Sequence, residues 1–502
     1  MGAPWRTAGI NIAIDRSRPI PITTQIASTL RSAIAEGRLK PGARLPSWLD
    51  LAAQLGVSRG TVKTAYDALV DEMLLFSAGA AGTRVALSPA SRTAVSRPAI
   101  IPLPMQENER GFALLPLPFQ PGVPAQDAFP AKLWARLRTR AMRETAIAPV
   151  GRRDPRGAPE LRAQIAAQIA ITRGIRCVPD QIILTSGPRN GLCLTLLALQ
   201  AAGGRALIED PGCPVMRKGL NLAGVEAVPV PVGADGMQVD LGIRIAPDAA
   251  LAIVAPAQQL SGGAALSQER RAALLCWAED ENKWIIEDDN LSELQLDGRA
   301  PPAMAADDPS GRVIYVGTFD MTISPALGLG FVVAPLALAA RFGEVAGHLN
   351  PAPNATTQFA LTEFLAEGHF LRHLRYMKTL YRQRRELLQR HLDPAVAIDR
   401  FAGLTAIALL PYGTDDVALA RRAIAREIAP APLSLWSAEP TRARPGLILG
   451  ITNLSERRAP KACAALSSLI TESAAEGRRP RAIDSHSAFD DSRAACRAAR
   501  AC

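Results

Sequence analysis

Residues 31–75 read RSAIAEGRLKPGARLPSWLDLAAQLGVSRGTVKTAYDALVDEMLL, two short amphipathic helices joined through Leu55-Gly56-Val57. Just upstream, PITTQIASTLRSAIAE (21–36) places Ile22, Ile26, Leu30, Ala33 and Ile34 on one helical face, with Gly37 as the expected C-cap. Pro46 and Ser47 open a second helix, Ser47 as N-cap, with Leu51, Ala52 and Leu55 facing inward. Gly56 supplies the tight turn. Ser58 caps a third helix whose inner face is Val62, Ala65, Tyr66, Leu69 and Val70. This is a helix-turn-helix pattern. Arg59, Thr61, Lys63 and Thr64 are left pointing outward at the start of the third helix, where groove contacts concentrate. Two strand-like pieces, Leu74–Phe76 and Thr83–Leu87, then form a predicted hairpin, the wing. A small three-helix bundle with no nucleic-acid role is the alternative, but motif, order and local charge agree on duplex DNA.

Charge agrees with this reading. The chain has 502 residues and a formal charge of +10. Residues 1–100 hold 12 Lys or Arg against 6 Asp or Glu, more than half the surplus in one fifth of the length. A polyanion partner for the N-terminal part follows, although an Arg-rich composition weakens an argument from charge alone. Hydrophobic residues at 48% and charged residues at 21% exclude a mostly disordered chain. No run approaches the roughly 18 apolar residues of a membrane span. The start, MGAPWRTAGINIAIDRS, has no apolar signal core, and the seven cysteines are scattered without CxxC or zinc spacing. The expectation is a cytoplasmic protein with reduced thiols and no membrane partner. Residues 12–87 are the expected DNA-binding domain, the Pro- and Ser-rich residues 88–109 a linker, 110–475 a large domain, and 476–502 a disordered tail.

The N-terminal stretch resembles the winged helix-turn-helix of GntR-type regulators over about residues 20–87. It departs from the family at Trp48-Leu49, where an Arg is usual, and at Ala78, where the wing usually carries another. Arg44, Ser47, Ser58, Arg59, Thr61, Lys63, Thr64 and Arg84 form the candidate DNA-binding set.

Beyond residue 110, buried strands are predicted at Ile182–Leu184, Ala206–Ile208, Ala227–Val230, Leu251–Ala255, Trp284–Glu287, Val313–Gly317 and Gly330–Val333. Helical segments such as 159–173 alternate with them. The fold class is therefore α/β with a mainly parallel sheet, and ligands belong at the carboxyl ends of its strands. The segments GRRDPRGAPELR, ILTSGPRNGL, IEDPGCP, WIIEDDN and VIYVGTFDMTISPALGLGFVVAP fall in the order seen in fold-type I aminotransferases. HLRYMKTLYRQRRELL resembles the MocR-type subgroup, in which a GntR-like domain is fused to an aminotransferase-like domain that binds pyridoxal 5'-phosphate.

The resemblance implies a lysine Schiff base, a carboxylate on the pyridine nitrogen and a phosphate cup. Met321 stands at the lysine position, and a thioether forms no imine; no lysine lies between Lys283 and Lys378. Gly328 stands for a phosphate-binding Arg, Cys213 for a ring-stacking Tyr, and Asn290 for a Tyr near the phenolic oxygen. The phosphate-cup segment reads Ser186-Gly187-Pro188-Arg189-Asn190, and Pro188 has no N–H to donate. The loop expected near the cofactor is Leu260-Ser261-Gly262-Gly263, and the substrate-carboxylate Arg aligns with Ile448. Asp288 matches the pyridine-nitrogen partner; a structural acid at a strand end is the alternative. The candidate cofactor set is Ser186, Gly187, Arg189, Cys213, Asp288 and Asn290, with no catalytic residue. Arg152, Arg153 and Arg189 offer a counter-hypothesis, a different anion held by guanidinium groups, against the favoured alternative of surface arginine in an Arg-rich chain.

His369 and His373 lie four apart on a helix without a visible third ligand, and read as a helix-surface pair rather than a metal site. The expected function is a DNA-binding transcriptional regulator acting as a homodimer on operator DNA. Its large domain then serves dimerisation and the sensing of a small anionic effector, with pyridoxal phosphate noncovalent or absent. The rival readings are a working aminotransferase with a DNA-binding domain, and an inert pseudoenzyme.

Overall fold

The computed structural model describes residues 12–17, 20–77, 82–86, 116–146, 154–259, 264–349 and 352–477. The chain divides into two compact units, residues 1–105 and 106–502. The first contains α1 (Ile22–Ala35), α2 (Trp48–Leu55), α3 (Arg59–Asp71) and the antiparallel pair β1 (Leu75–Ser77) and β2 (Thr83–Val85). Apolar residues at helical spacing put Ile26, Leu30, Ala33, Val62, Ala65 and Leu69 into one core, each at most 3% exposed. Each large aliphatic side chain there contributes about 1.5–3 kcal/mol.

Local chemistry sets the helix ends. Ser47 Oγ accepts from Asp50 N and Ser58 Oγ from Thr61 N, both at 3.1 Å. Gly56 ends α2 with φ +60, a left-handed conformation that costs glycine little. Two details differ from the periodicity. Helix α1 is capped by Glu36, and the left-handed Gly37 lies one residue beyond. Val70 is 37% exposed, because it sits past the Val62–Ala65–Tyr66–Leu69 stripe in the last turn of α3. The hairpin pairs Leu75 with Val85 and Ser77 with Thr83, starting one residue later than expected.

The second unit is built on an eight-stranded sheet. Its strands are β3 (Ile182–Thr185), β4 (Arg205–Asp210), β5 (Glu226–Gly233), β6 (Gly236–Met237), β7 (Leu251–Val254), β8 (Trp284–Asp289), β9 (Val313–Thr318) and β10 (Gly330–Val333). The spatial order is β3-β10-β9-β8-β7-β4-β5-β6. All seven expected strands form. The β5–β4–β7–β8–β9 run is parallel, while β10 runs antiparallel to both neighbours and β6 antiparallel to β5. Helices α4 (Pro159–Arg173), α5 (Pro188–Leu199) and α6 (Pro214–Leu222) pack around it. A smaller antiparallel sheet, β11 (Ile398–Ala402), β12 (Thr405–Leu409), β13 (Ala431–Pro432) and β14 (Gly446–Gly450), follows the long helix α7 (His369–His391).

Candidate functional site

In the N-terminal unit, Arg44, Ser58, Arg59, Lys63 and Thr64 are exposed or half-buried at the surface. The Ser47 and Ser58 hydroxyls serve as caps, and Ser58 Oγ also bonds Thr61 Oγ1 at 2.7 Å. Arg84 is partly buried and donates through Nη1 to Gly42 O at 2.9 Å. Its side chain braces the wing, across a bridge that pairs Arg44 with Arg84. Tyr66 Oη donates to Pro46 O at 3.0 Å, which fixes the entry of α2 against α3. Ala78 and the wing tip lie outside the described residues, as do the expected linker, Arg152, Arg153, the 260–263 loop and the tail from 478 onward.

In the large unit, parallel strands β4, β7 and β8 end side by side, and a cleft opens over their carboxyl ends. Its volume is about 70 Å³, and its walls include Glu209, Cys213, Gln258, Gln259, Asp288 and Asn290. Three of the six predicted cofactor residues, Cys213, Asp288 and Asn290, thus share one cavity. Arg189, near the start of α5, is within electrostatic reach of Cys213 and Asp320. Ser186 and Gly187 lie in the turn before α5, where Ser186 N donates to Asn190 Oδ1 at 2.9 Å. Gly187 has φ +114, and a Cβ there would sit 3.2 Å from Asp320 Oδ2, so the turn requires glycine. Pro188 is the first residue of α5.

Adjacent acids on β8 diverge, as strand geometry demands. Asp289 is the structural one. It accepts from Arg173 Nε at 2.6 Å and Tyr315 Oη at 2.8 Å, and the Arg173 and Asp289 side chains are 1% and 4% exposed. Asp288 lines the cleft and accepts from Asn290 Nδ2 at 2.6 Å. Burial, with Asp289 adding to it, pushes the Asp288 carboxyl up to about 7. Burial also pushes Glu209 up to about 7, with Asp288 nearby working the same way. Asp320 is raised to about 6 by burial, against a hydrogen bond with Thr318.

Met321 is 8% exposed and belongs to the main apolar cluster with Phe319, Ile323 and Leu329. Gly328 closes a short turn with φ +55, where any side chain is strained. Ile448 is fully buried at the centre of β14, paired on both sides. The helix-surface reading of the histidine pair is corrected. His373 is 8% exposed against Phe364, and burial lowers its pKa, while His369 pairs with Glu367 at 3.0 Å. No group of three or more metal-binding side chains occurs among the described residues.

Glu209, Gln258, Gln259 and Trp436 are additions that the sequence patterns do not single out. Glu209 and the glutamines had one available signal, their position at or just after the ends of β4 and β7. Trp436 comes from the distant C-terminal part, and no local pattern announces it.

Residues 22–85 match the bacterial regulatory proteins of the gntR family. The chain is 36% identical over 442 residues to the probable rhizopine catabolism regulatory protein MocR of Rhizobium meliloti, covering 84% of this chain and 88% of that protein. It is 34% identical over 384 residues to the HTH-type pyridoxine biosynthesis transcriptional regulator PdxR of Corynebacterium glutamicum, covering 76% and 81%. Among solved structures, an archaeal alanine:glyoxylate aminotransferase superposes with a TM-score of 0.66 at 22% identity, over 73% of this chain and 94% of that one. LysN, the alpha-aminoadipate aminotransferase of Thermus thermophilus, gives 0.66 at 23% identity, over 74% and 95%. These structural matches establish the fold of the large unit. A gntR-type DNA-binding head followed by an aminotransferase-like α/β unit defines a class of transcriptional regulator. Within that class, the chain belongs to the MocR-type regulators of the GntR family. No helix among the described residues is long and apolar enough to cross a membrane.

Proposed function

We propose that this regulator binds operator DNA as a homodimer through the N-terminal turns of α3, and that its large domain dimerises and senses a ligand without catalysing transamination. The observation that carries the second half is Met321, packed into the apolar core where the family resemblance implies a lysine. Tested against pyridoxal phosphate, the residues present do not fit a covalently held group. Asp288 suits a pyridine nitrogen. The amine is missing, the turn at Gly328 offers no guanidinium, and Pro188 removes a donor from the start of α5. No reaction step is assigned through the cofactor.

For DNA, Arg59 and Lys63 supply exposed cations beside the capped start of α3, and Thr61 and Thr64 supply hydroxyls. Arg44 extends the basic surface towards the wing. A two-fold dimer selects paired half-sites. The expectation of an anionic effector rests on Arg152, Arg153 and Arg189. The cleft itself has a different balance of charge.

The test is a salt-dependent gel shift on the DNA upstream of the protein's own coding region. Arg59→Ala with Lys63→Ala abolishes the shift at physiological salt and lowers the log–log salt slope by about 2, roughly one per lost phosphate contact. The dimer persists in gel filtration. Unchanged DNA binding by the double variant overturns the assignment of α3. Borohydride treatment with added pyridoxal phosphate leaves no label on the wild-type protein, and a stable pyridoxyl adduct overturns the noncatalytic reading.

A further inference from the structure

The cleft over β4, β7 and β8 is rich in hydrogen-bond acceptors and poor in donors. Asp288 receives one side-chain amide, from Asn290, and no cationic side chain bonds it among the described residues. Glu209 receives a long bond from Ala255 N at 3.4 Å and a contact from the Gln259 amide. Gln259 is 3% exposed. Its Nε2 donates to Pro211 O at 2.6 Å, which fixes the orientation of the amide. Its Oε1 is consequently buried in the cleft wall with no partner. Buried acceptors left unpaired are costly, and native proteins rarely keep them without a reason.

The guanidinium in the wall does not answer them. Arg217 Nη1 and Nη2 donate to the backbone carbonyls of Trp436, at 3.2 Å, and Leu435, at 3.0 Å. A metal ion would want three or more suitable side chains, and none of the described clusters provides them. The cavity volume, about 70 Å³, exceeds the ~10–15 Å³ that a single water needs. Met216, Ile253 and Trp436 complete the wall with apolar surface, which suits a short aliphatic stem.

We propose that this cleft binds a small organic cation with several N–H donors, an aliphatic ammonium or guanidinium compound. Its charged head lies between Glu209 and Asp288. Ionised carboxylates bonded to a cationic donor make the strong class of hydrogen bond. Such a ligand supplies the countercharge that the protein omits. The proposal deepens the sensing role given above and rests on that reading, since a covalently seated cofactor would compete for Asp288.

Full-length protein is titrated by calorimetry with butane-1,4-diamine and with (4-aminobutyl)guanidine. Butanedioate and inorganic phosphate serve as anionic counterparts. At least one cation binds saturably, and the anions give no binding heat. Glu209→Gln and Asp288→Asn each weaken the cation by about tenfold or more, with the wild-type gel-filtration profile as the check on folding. Absence of binding by both cations overturns the proposal whatever the variants do. So does binding undiminished in both folded variants, and so does binding of the anions alone. Borohydride labelling is run on the same preparation. A covalent pyridoxyl adduct refutes the noncatalytic reading, whereas no adduct together with no cation binding refutes only the ligand class.

Discussion

Replacing Met321 by lysine tests whether the catalytic function is one substitution away. The side chain is 8% exposed among Phe319, Ile323 and Leu329, so the new ε-amino group enters apolar packing. An ammonium in such surroundings costs several kcal/mol even after relaxation. The cheaper course is to stay neutral. With an ordinary lysine pKa of about 10.4, holding the amine deprotonated at pH 7.5 costs about 4 kcal/mol, at ~1.4 kcal/mol per pH unit. The unbranched stem replaces methionine nearly volume for volume, so packing adds little. Met321→Lys should therefore lower unfolding stability by about 4 kcal/mol at pH 7.5. Raising the pH to 9.5 should return about 3 kcal/mol of the difference from wild type. Urea unfolding of both proteins at the two pH values measures this. Amino-acid turnover with added pyridoxal phosphate should remain absent, because Cys213, Asn290 and Gly328 are unchanged. Wild-type stability at pH 7.5, with measurable transamination, would refute the packing argument and show that the amine reaches an open cleft.

Other perturbations follow the same logic. Ser58→Ala removes the cap of α3 and should cost the N-terminal unit about 1 kcal/mol, read as faster amide exchange in that helix; protection equal to wild type would contradict it. Asp289→Asn leaves Arg173 buried without its countercharge and should cost about 3–5 kcal/mol in chemical unfolding, and a loss under 1 kcal/mol would show that the guanidinium finds other partners. Glu209 and Asp288 have folded pKa values raised to about 7, above their unfolded values near 4. Their protonated forms favour the fold, so their contribution is complete below about pH 4 and is lost as pH rises through about 7. Glu209→Gln combined with Asp288→Asn should flatten the decline of ligand-free stability between pH 5 and 7.5; an unaltered pH profile would count against the buried-acid account.

Much of the architecture is legible in the sequence because it is local. Ser47, Gly56 and Ser58 announce their helix boundaries in two or three residues, and the apolar runs at 182–185, 251–254 and 313–318 can hardly be anything but buried strands. Val70 misleads because periodicity gives a face and not the width of what covers it. His373 misleads because a polar residue type says little about burial when Phe364 lies against it. The cleft resists sequence reading for a topological reason. Glu209, Gln259 and Asp288 belong to β4, the segment after β7, and β8; β7 and β8 are sequential neighbours, but β4 joins them only because the sheet places it beside β7 out of chain order. Asp288 and Asp289 are alike in residue type and only the family resemblance tells them apart in the sequence; in the structure the pleat separates the one tied to Arg173 from the one facing the cavity.

The base of the wing is tied down. Residues 42–45 run along β2, with Gly42 N donating to Val85 O at 3.0 Å, Val85 N to Ala43 O at 2.9 Å and Leu45 N to Thr83 O at 2.9 Å, and the Arg84 guanidinium clamps Gly42. The same strip of chain runs directly into α2. Tyr66 Oη on α3 donates to Pro46 O at the end of that strip, so the hairpin base and the proposed reading helix α3 are held as two tines of one fork, whose gap is set before any duplex arrives. Little ordering entropy is then spent at the hairpin base on docking, and sites with an added or deleted base pair between the two points of contact should be rejected by geometry alone.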